Sequence, residues 1–161
     1  MSEYIIQESS LMQLADIVRS KSMHIDASID FISNREQFNI SFLPEGITSI
    51  GSYAFYGCPN LALTSLPESI TSIGDSAFFN CSNLALTSLP ESITSIGYSA
   101  FAECSNLKSL TFKGTPTRIS SNIFVGCENL TTINVPWSKG ALSNAPWGAT
   151  NATINYNYVE G

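Results

Sequence analysis

The side chains best suited to chemistry in this chain are four thiols, and they are evenly placed. Cys58, Cys81, Cys104 and Cys127 stand 23 residues apart. A thiol acts as nucleophile or metal ligand in its thiolate form, and each role needs company. A cysteine hydrolase needs a histidine to take the proton. Zinc needs a set of thiolate and imidazole donors, commonly supplied by Cys-x-x-Cys pairs. The chain has one histidine, His24, and no Cys-x-x-Cys pair. An even cysteine count also admits disulfides, yet a whole repeat separates each cysteine from the next, so all four take the same place in successive units. They read as small buried hydrophobes at a turn. The expectation is a protein that is not an enzyme and uses no metal or cofactor.

A repeat positions the thiols. Phe55, Phe78, Phe101 and Phe124 keep the same interval, as do Asn60, Asn83, Asn106 and Asn129, and also Leu61, Leu84, Leu107 and Leu130. A fixed period of this length marks a solenoid, in which each repeat is one coil and the coils stack. Coils 43–65 and 66–88 are near copies, LPEGITSIGSYAFYGCPNLALTS and LPESITSIGDSAFFNCSNLALTS. Coil 89–111 follows them closely and coil 112–134 diverges more. Pro67, Pro90 and Pro136 mark strand ends, because proline cannot donate to a ladder. The Ile-Thr-Ser stretches suit short strands. Gly51, Gly74 and Gly97 are expected to take positive φ at a tight corner. The Ala-Phe-x-x-Cys stretch is too short for a helix and predicts one helical or 3₁₀ turn. The asparagine column is expected to be structural, bonding backbone groups of its own coil and of its neighbour.

The pattern Cys-x-x-Leu-x-x-(Leu/Ile)-x-(Leu/Phe/Val)-Pro, followed by Ile-Thr-Ser-Ile-Gly-x-x-Ala-Phe, resembles the BspA-like leucine-rich repeats over residues 43–136. These are the 23-residue class found in bacterial surface proteins. The resemblance implies a right-handed parallel β-solenoid with a concave sheet, and an adhesin or other interaction protein. It also implies the outward positions of the concave strand: Leu63 and Ser65, Leu86 and Ser88, Ser109 and Thr111, Thr132 and Asn134. Leu63 and Leu86 depart from the family pattern, since Thr64 and Thr87 take the usually inward place. Either the two leucines form an exposed apolar hot spot, or the strand is bulged and they point inward. A one-residue slip exchanges the two faces of a strand. Burial of two leucines at ~25 cal/mol per Å² favours the bulge.

A second candidate surface is acidic. Glu45, Glu68 and Glu91 form a column, one per coil. Like charges about 5 Å apart are tolerable only in solvent, so this is a solvated edge or a ridge for a basic partner. Tyr53, Tyr56, Phe79 and Tyr98 lie near the turn and offer aromatic anchors beside it, a residue class enriched in interfaces.

The two ends, residues 1–42 and 137–161, fall outside the repeat. Ser10 and Gln13 fit a capping box, and Leu11, Leu14, Ala15 and Val18 share one helical face. A helix over 11–20 is expected, with a second helical segment near Asp26, as an N-terminal helical cap or an attachment segment. Tyr4–Leu11 and Ala15–Lys21 resemble an N-terminal segment of tail-associated proteins in phages and prophages of Firmicutes. The pattern departs after Lys21, where Ser22-Met23 stands in place of Thr-Gly. The last 25 residues, 137–161, are expected to form a C-terminal β cap, with a short helix over 138–145 and a strand from Thr153 to Val159. VPWSKGALSNAPWGATNATINYNY resembles the end of phage-encoded leucine-rich repeat proteins. A sugar-stacking platform of Trp137, Trp147, Tyr156 and Tyr158 is the alternative reading of this end.

Composition narrows the function further. Of the 161 residues 12% are charged, and the net charge is −6. That balance lacks the basic stripe of a nucleic-acid binder. No apolar run reaches the ~18 residues of a membrane-spanning helix. The first residues lack the basic and apolar regions of a secretory signal. The expectation is a chain that is cytoplasmic as synthesised, with reduced thiols, or one incorporated into a phage particle. The expected function is a non-enzymatic interaction module, a monomer or weak dimer, binding a protein partner or a surface glycan. The alternative is a small phage-encoded inhibitor that blocks a host defence protein.

Overall fold

The computed structural model describes residues 24–25, 41–43 and 45–161. The helix expected over 11–20 and the segment near Asp26 lie outside the described residues. The rest winds as a parallel solenoid with two sheets. One sheet runs through β1 (His24–Ile25), β2 (Ser49–Ile50), β3 (Ser72–Ile73), β5 (Ser95–Ile96) and β7 (Arg118–Ile119). The other runs through β4 (Ser88–Leu89), β6 (Ser109–Phe112), β8 (Thr132–Asn134) and β9 (Thr153–Asn155). All pairs are parallel and in register with the repeat: Ser49 faces Ser72, Ser72 faces Ser95, and Ser95 faces Arg118. Each strand runs for only two to four residues before the chain bends.

The array starts earlier than the sequence boundary at residue 43. β1 pairs with β2, His24 opposite Ser49. That step is longer than the 23-residue period, and residues 24–48 contain no cysteine. A search for the fixed period passes over it.

The core is a set of columns in which each side chain rests on its copy. The rings of Phe55, Phe78, Phe101 and Phe124 stack with centroids 5.3, 5.3 and 5.9 Å apart. Leu61, Leu84, Leu107 and Leu130 are fully buried beside them.

The Ala-Phe-x-x-Cys corner is not a helix. Ala54, Tyr56 and Cys58 each donate their N–H three residues back, to Gly51, Tyr53 and Phe55. The residues between them, Tyr53, Phe55 and Gly57, donate to Asp75, Ala77 and Phe79 of the next coil at 2.9, 2.8 and 2.7 Å. Alternate amides thus serve the turn and the stack, and every N–H from Tyr53 to Cys58 has an acceptor. The left-handed residues here are Tyr53, Ser76 and Ser99, with Gly57, Asn80 and Glu103 four residues on, and Gly126 in the fourth coil.

This corrects the reading of the Gly51, Gly74 and Gly97 column, which does not take positive φ. Its role is close approach. A Cβ at Gly74 would collide with the backbone N of Ser52 and lie 2.8 Å from Gly51 C and Ser52 Cα. A Cβ at Gly97 would lie 2.5 Å from the Asp75 N.

Leu63 and Leu86 point inward, 0% and 1% exposed, while Thr64 and Thr87 face solvent. The first two coils bury Leu61, Leu63 and Leu66, whereas the third buries Leu107, Leu110 and Phe112. The extra outward residue thus follows the middle apolar side chain in the first two coils and precedes it in the third. Leu63 and Leu86 are therefore removed from the candidate binding surface, because burial of two leucines outweighs regularity of the strand. Replacing Leu63 with Ala is expected to cost about 3 kcal/mol, and Thr64 with Ala less than about 0.5 kcal/mol. Urea unfolding of the two variants checks this register.

The C-terminal segment adds one more coil. β9 extends the second sheet by pairing with β8, and the Phe124 N–H donates to Trp147 O at 3.0 Å, as Phe101 does to Ile123. Residues 138–145 form bends and turns, not the expected short helix, and the strand stops at Asn155. Trp147 is 0% exposed and Trp137 6%. The two indoles meet edge to face at 6.1 Å, and Trp147 Nε1 donates to Ser143 O. The sugar platform is thereby overturned. Its two largest rings close the end of the apolar column, since an open last coil would leave Phe112 and Phe124 in water.

Candidate functional site

The thiols do structural work beyond filling space. The Sγ of Cys81, Cys104 and Cys127 each donates to a carbonyl of the preceding coil, that of Phe55, Phe78 and Phe101, at 3.0 Å in every case. All four cysteines are free and buried. Burial pushes the Cys104 thiol well above its ordinary value, with Cys81 and Cys127 adding to it. Burial pushes Cys127 up to about 12. These are protonated donors that tie coil to coil, the reverse of an activated nucleophile. A thiol whose folded pKa is raised stabilises the fold at pH below its unfolded value, and that stabilisation is lost as pH climbs through the folded value. The urea midpoint is therefore expected to fall steadily from about pH 9 to about pH 12, and less so in a Cys104→Ala/Cys127→Ala variant.

Among the described residues no group of three His, Cys, Asp or Glu side chains is placed to hold a metal. Among the described residues no helix is long and apolar enough to cross a membrane.

Three surfaces remain. The first is the second sheet, which the family resemblance places on the concave side. Ser65 and Ser109 are exposed there, and Ser88, Thr111 and Thr132 half-buried. Asn134, expected outward, is buried. Its Nδ2 donates to Thr111 Oγ1 at 3.0 Å, and its Oδ1 accepts from Asn155 Nδ2 at 2.8 Å. This face is small, neutral and hydroxyl-rich, and part of its hydrogen-bonding capacity is spent within the stack.

The second is the acidic column, in which Glu45, Glu68 and Glu91 are all exposed. Lys113 Nζ lies 2.9 Å from Glu68 Oε1, and that hydrogen bond raises the lysine pKa. The ridge is thus partly neutralised by the chain itself. The Asn60, Asn83, Asn106 and Asn129 column is exposed as well. Asn129 Nδ2 donates to Ser105 O of the previous coil at 2.7 Å, and Asn151 Nδ2 repeats that bond to Glu128 O at 3.0 Å.

The third surface is the face of the Ala-Phe-x-x-Cys corner, and it differs in kind. Tyr53 and Tyr98 are each 51% exposed, Val125 40% and Tyr56 38%. Tyr56 stacks on Phe79 of the next coil at 4.9 Å with the rings almost parallel, and meets Tyr53 at 5.8 Å. Tyr98 is held at both ends. Its N–H donates to Asp75 Oδ1 at 2.7 Å, and its hydroxyl accepts from Asn122 Nδ2 at 3.1 Å. All four aromatics singled out from the sequence are therefore on one face. Asp75, Glu103 and Val125, which sequence reasoning passed over, share it. A signal for them existed: near-identical coils differ where Ser52, Asp75 and Tyr98 alternate, where Tyr56, Phe79, Ala102 and Val125 do, and where Gly57, Asn80, Glu103 and Gly126 do. Positions free to vary in a stack of copies are those the stack does not need.

The BspA-type leucine-rich repeat model matches residues 24–146, in six copies. The chain belongs to the BspA-type leucine-rich repeat family. The match begins at β1 and runs into the C-terminal coil, in keeping with the parallel ladder. Among solved structures, the T. pallidum leucine-rich repeat protein is 28% identical with a TM-score of 0.55, covering 72% of this chain and 55% of that one. A leucine-rich cell surface protein from Faecalibacterium prausnitzii is 35% identical with a TM-score of 0.57, covering 76% of this chain and 32% of that one. The chain thus spans about half and about a third of the length of these two relatives. No curated protein matches the sequence. BspA-type repeats are typically protein-interaction modules, and the phage resemblance of the end segments finds no counterpart among these matches.

Proposed function

We propose that this BspA-type repeat protein is a non-enzymatic binding module whose partner is a protein, held on the corner face of Tyr53, Tyr56, Phe79 and Tyr98. One observation carries the reading. Of seven large hydrophobic residues exposed among the described residues, Tyr53, Tyr56, Tyr98 and Val125 are on this face, with Phe79 half-buried between them and the columns behind sealed. Clustered, rigidly held tyrosines bring large contact area at low entropic cost, and an exposed apolar patch marks an interaction site. The cell-surface description of the F. prausnitzii relative is consistent with a surface-exposed partner. The resemblance of the end segments to phage proteins extends the reading to a particle component, or to an inhibitor docked on a host protein.

The test is cross-linking of the full chain to its partner in host extract or on host cells, with Tyr53→Ala/Tyr56→Ala/Tyr98→Ala as the comparison. The expected result is one stoichiometric partner that the triple variant loses by more than about a hundredfold, as hot-spot tyrosines do. Retention by that variant, with loss on Ser88→Arg/Thr132→Arg, would move the site to the second sheet. A surface protein as partner supports the surface setting, and a soluble host protein the inhibitor.

A further inference from the structure

We infer that the occupant of the corner face is a cationic polypeptide segment, one that presents arginine or lysine to the tyrosines; this rests on the reading of that face as the binding site. The four corner segments, residues 51–60, 74–83, 97–106 and 120–129, contain Asp75, Glu103 and Glu128 and not one Lys, Arg or His. The basic residues in the repeats, Lys108, Lys113 and Arg118, all fall outside these corners, the two lysines flanking β6 and Arg118 opening β7. Basic residues are therefore kept off the corners, and every charged side chain there is acidic.

One of these acids is held beside the rings and a second stands on the same corner a coil further on. Asp75 is exposed, and its carboxylate is pinned beside Tyr98 by the 2.7 Å bond from the Tyr98 N–H. The Asp75 carbonyl accepts from Tyr53 N at 2.9 Å, so the same residue joins the two most exposed tyrosines. Glu103 is exposed in a left-handed conformation, with φ of 60°. Its carboxylate lies against Gly126 of the next coil, where a Cβ would come 2.7 Å from Oε2. Glycine at 126 therefore keeps open the ground on which that carboxylate rests. A pinned carboxylate beside an exposed ring, with a second carboxylate on the same corner face, suits a guanidinium or ammonium group twice over. The ring attracts the cation through its quadrupole, and the carboxylate supplies a charge-assisted hydrogen bond. A neutral sugar would use the rings and gain little from the acids. An acidic partner would be repelled.

The experiment is selection of a displayed random dodecapeptide library on the full chain. Calorimetry of the selected synthetic peptides then follows on wild type, Tyr56→Ala/Tyr98→Ala and Asp75→Asn/Glu103→Gln, each shown to be folded by circular dichroism. Asn at 75 keeps the acceptor for Tyr98 N–H, so the charge alone is removed. The expected winners are rich in Arg and Lys, show no measurable binding to the tyrosine variant, and bind the charge variant about fivefold more weakly. Their affinity is also expected to fall as NaCl is raised, because exposed charges are screened. Peptides that need the tyrosines but lack basic residues, and that ignore both the charge variant and salt, would overturn the cationic assignment and leave the face as the site. A neutral oligosaccharide captured by the tyrosines in preference to peptides would do the same. A library that yields no tyrosine-dependent peptide would overturn both.

Discussion

Phe78→Ala is expected to destabilise the protein by about 4 kcal/mol. Phe78 is fully buried, and its ring is stacked on both sides, against Phe55 and Phe101, at 5.3 Å each. Truncation removes one ring from the middle of a four-ring column, and the neighbours cannot close the gap. Their spacing is set by the backbone ladder, through bonds such as Phe78 N–H to Ala100 O at 2.8 Å. Alanine keeps that ladder and also the Phe78 carbonyl that receives the Cys104 thiol. The loss is therefore one of packing alone. Against a usual domain stability of about 5–15 kcal/mol the change is large, and it is read as a drop in the urea midpoint at unchanged slope. Phe79→Ala is the control. That ring is half-buried and stacks on Tyr56, so its removal should cost about 1 kcal/mol. Equal costs at 78 and 79 would show that the ring column is not what holds the coils together.

Gly74→Ala is expected to cost about 3 kcal/mol, although it adds a single methyl group. The atoms that methyl would meet are backbone, Ser52 N and Cα and Gly51 C, and a backbone cannot swing aside like a side chain. The coils must part locally. That strains the Gly74 N–H bond to Ile50 O at 2.8 Å and the Asp75 N–H bond to Ser52 Oγ at 3.2 Å. Gly140→Ala separates this steric effect from ordinary glycine strain. Gly140 has φ of 90° but nothing within 4 Å of its added Cβ, so only the conformational cost of about 1 kcal/mol applies. Faster amide exchange at 51–53 in Gly74→Ala, and not in Gly140→Ala, would locate the damage. Equal destabilisation by the two variants would refute the close-approach account.

The linear order of residues carried the architecture to the reader because a solenoid is a local object. Each coil touches its copies, so a period of 23 residues and identical Phe, Cys and Leu columns specify a stack without any long-range guess. The grouping of Tyr53, Tyr56, Phe79 and Tyr98 near the corner could be read for the same reason. What the string of letters left open turned on distances between backbones. Whether a glycine is there for its φ or for its missing Cβ depends on how near the next coil comes, and Gly74 has the second role. Whether Leu63 or Thr64 faces inward depends on where an extra residue is accommodated in the strand, which composition does not encode. Trp137 and Trp147 have the letters of a sugar platform and the positions of an end plug, since the last coil folds them over the apolar column. The thiol bonds of Cys81, Cys104 and Cys127 to phenylalanine carbonyls became visible with the coils in register. So did the meeting of Asp75 and Tyr98. Repetition dictates which residues stack, and the spacing between the stacked backbones dictates which of them remain free to meet a partner.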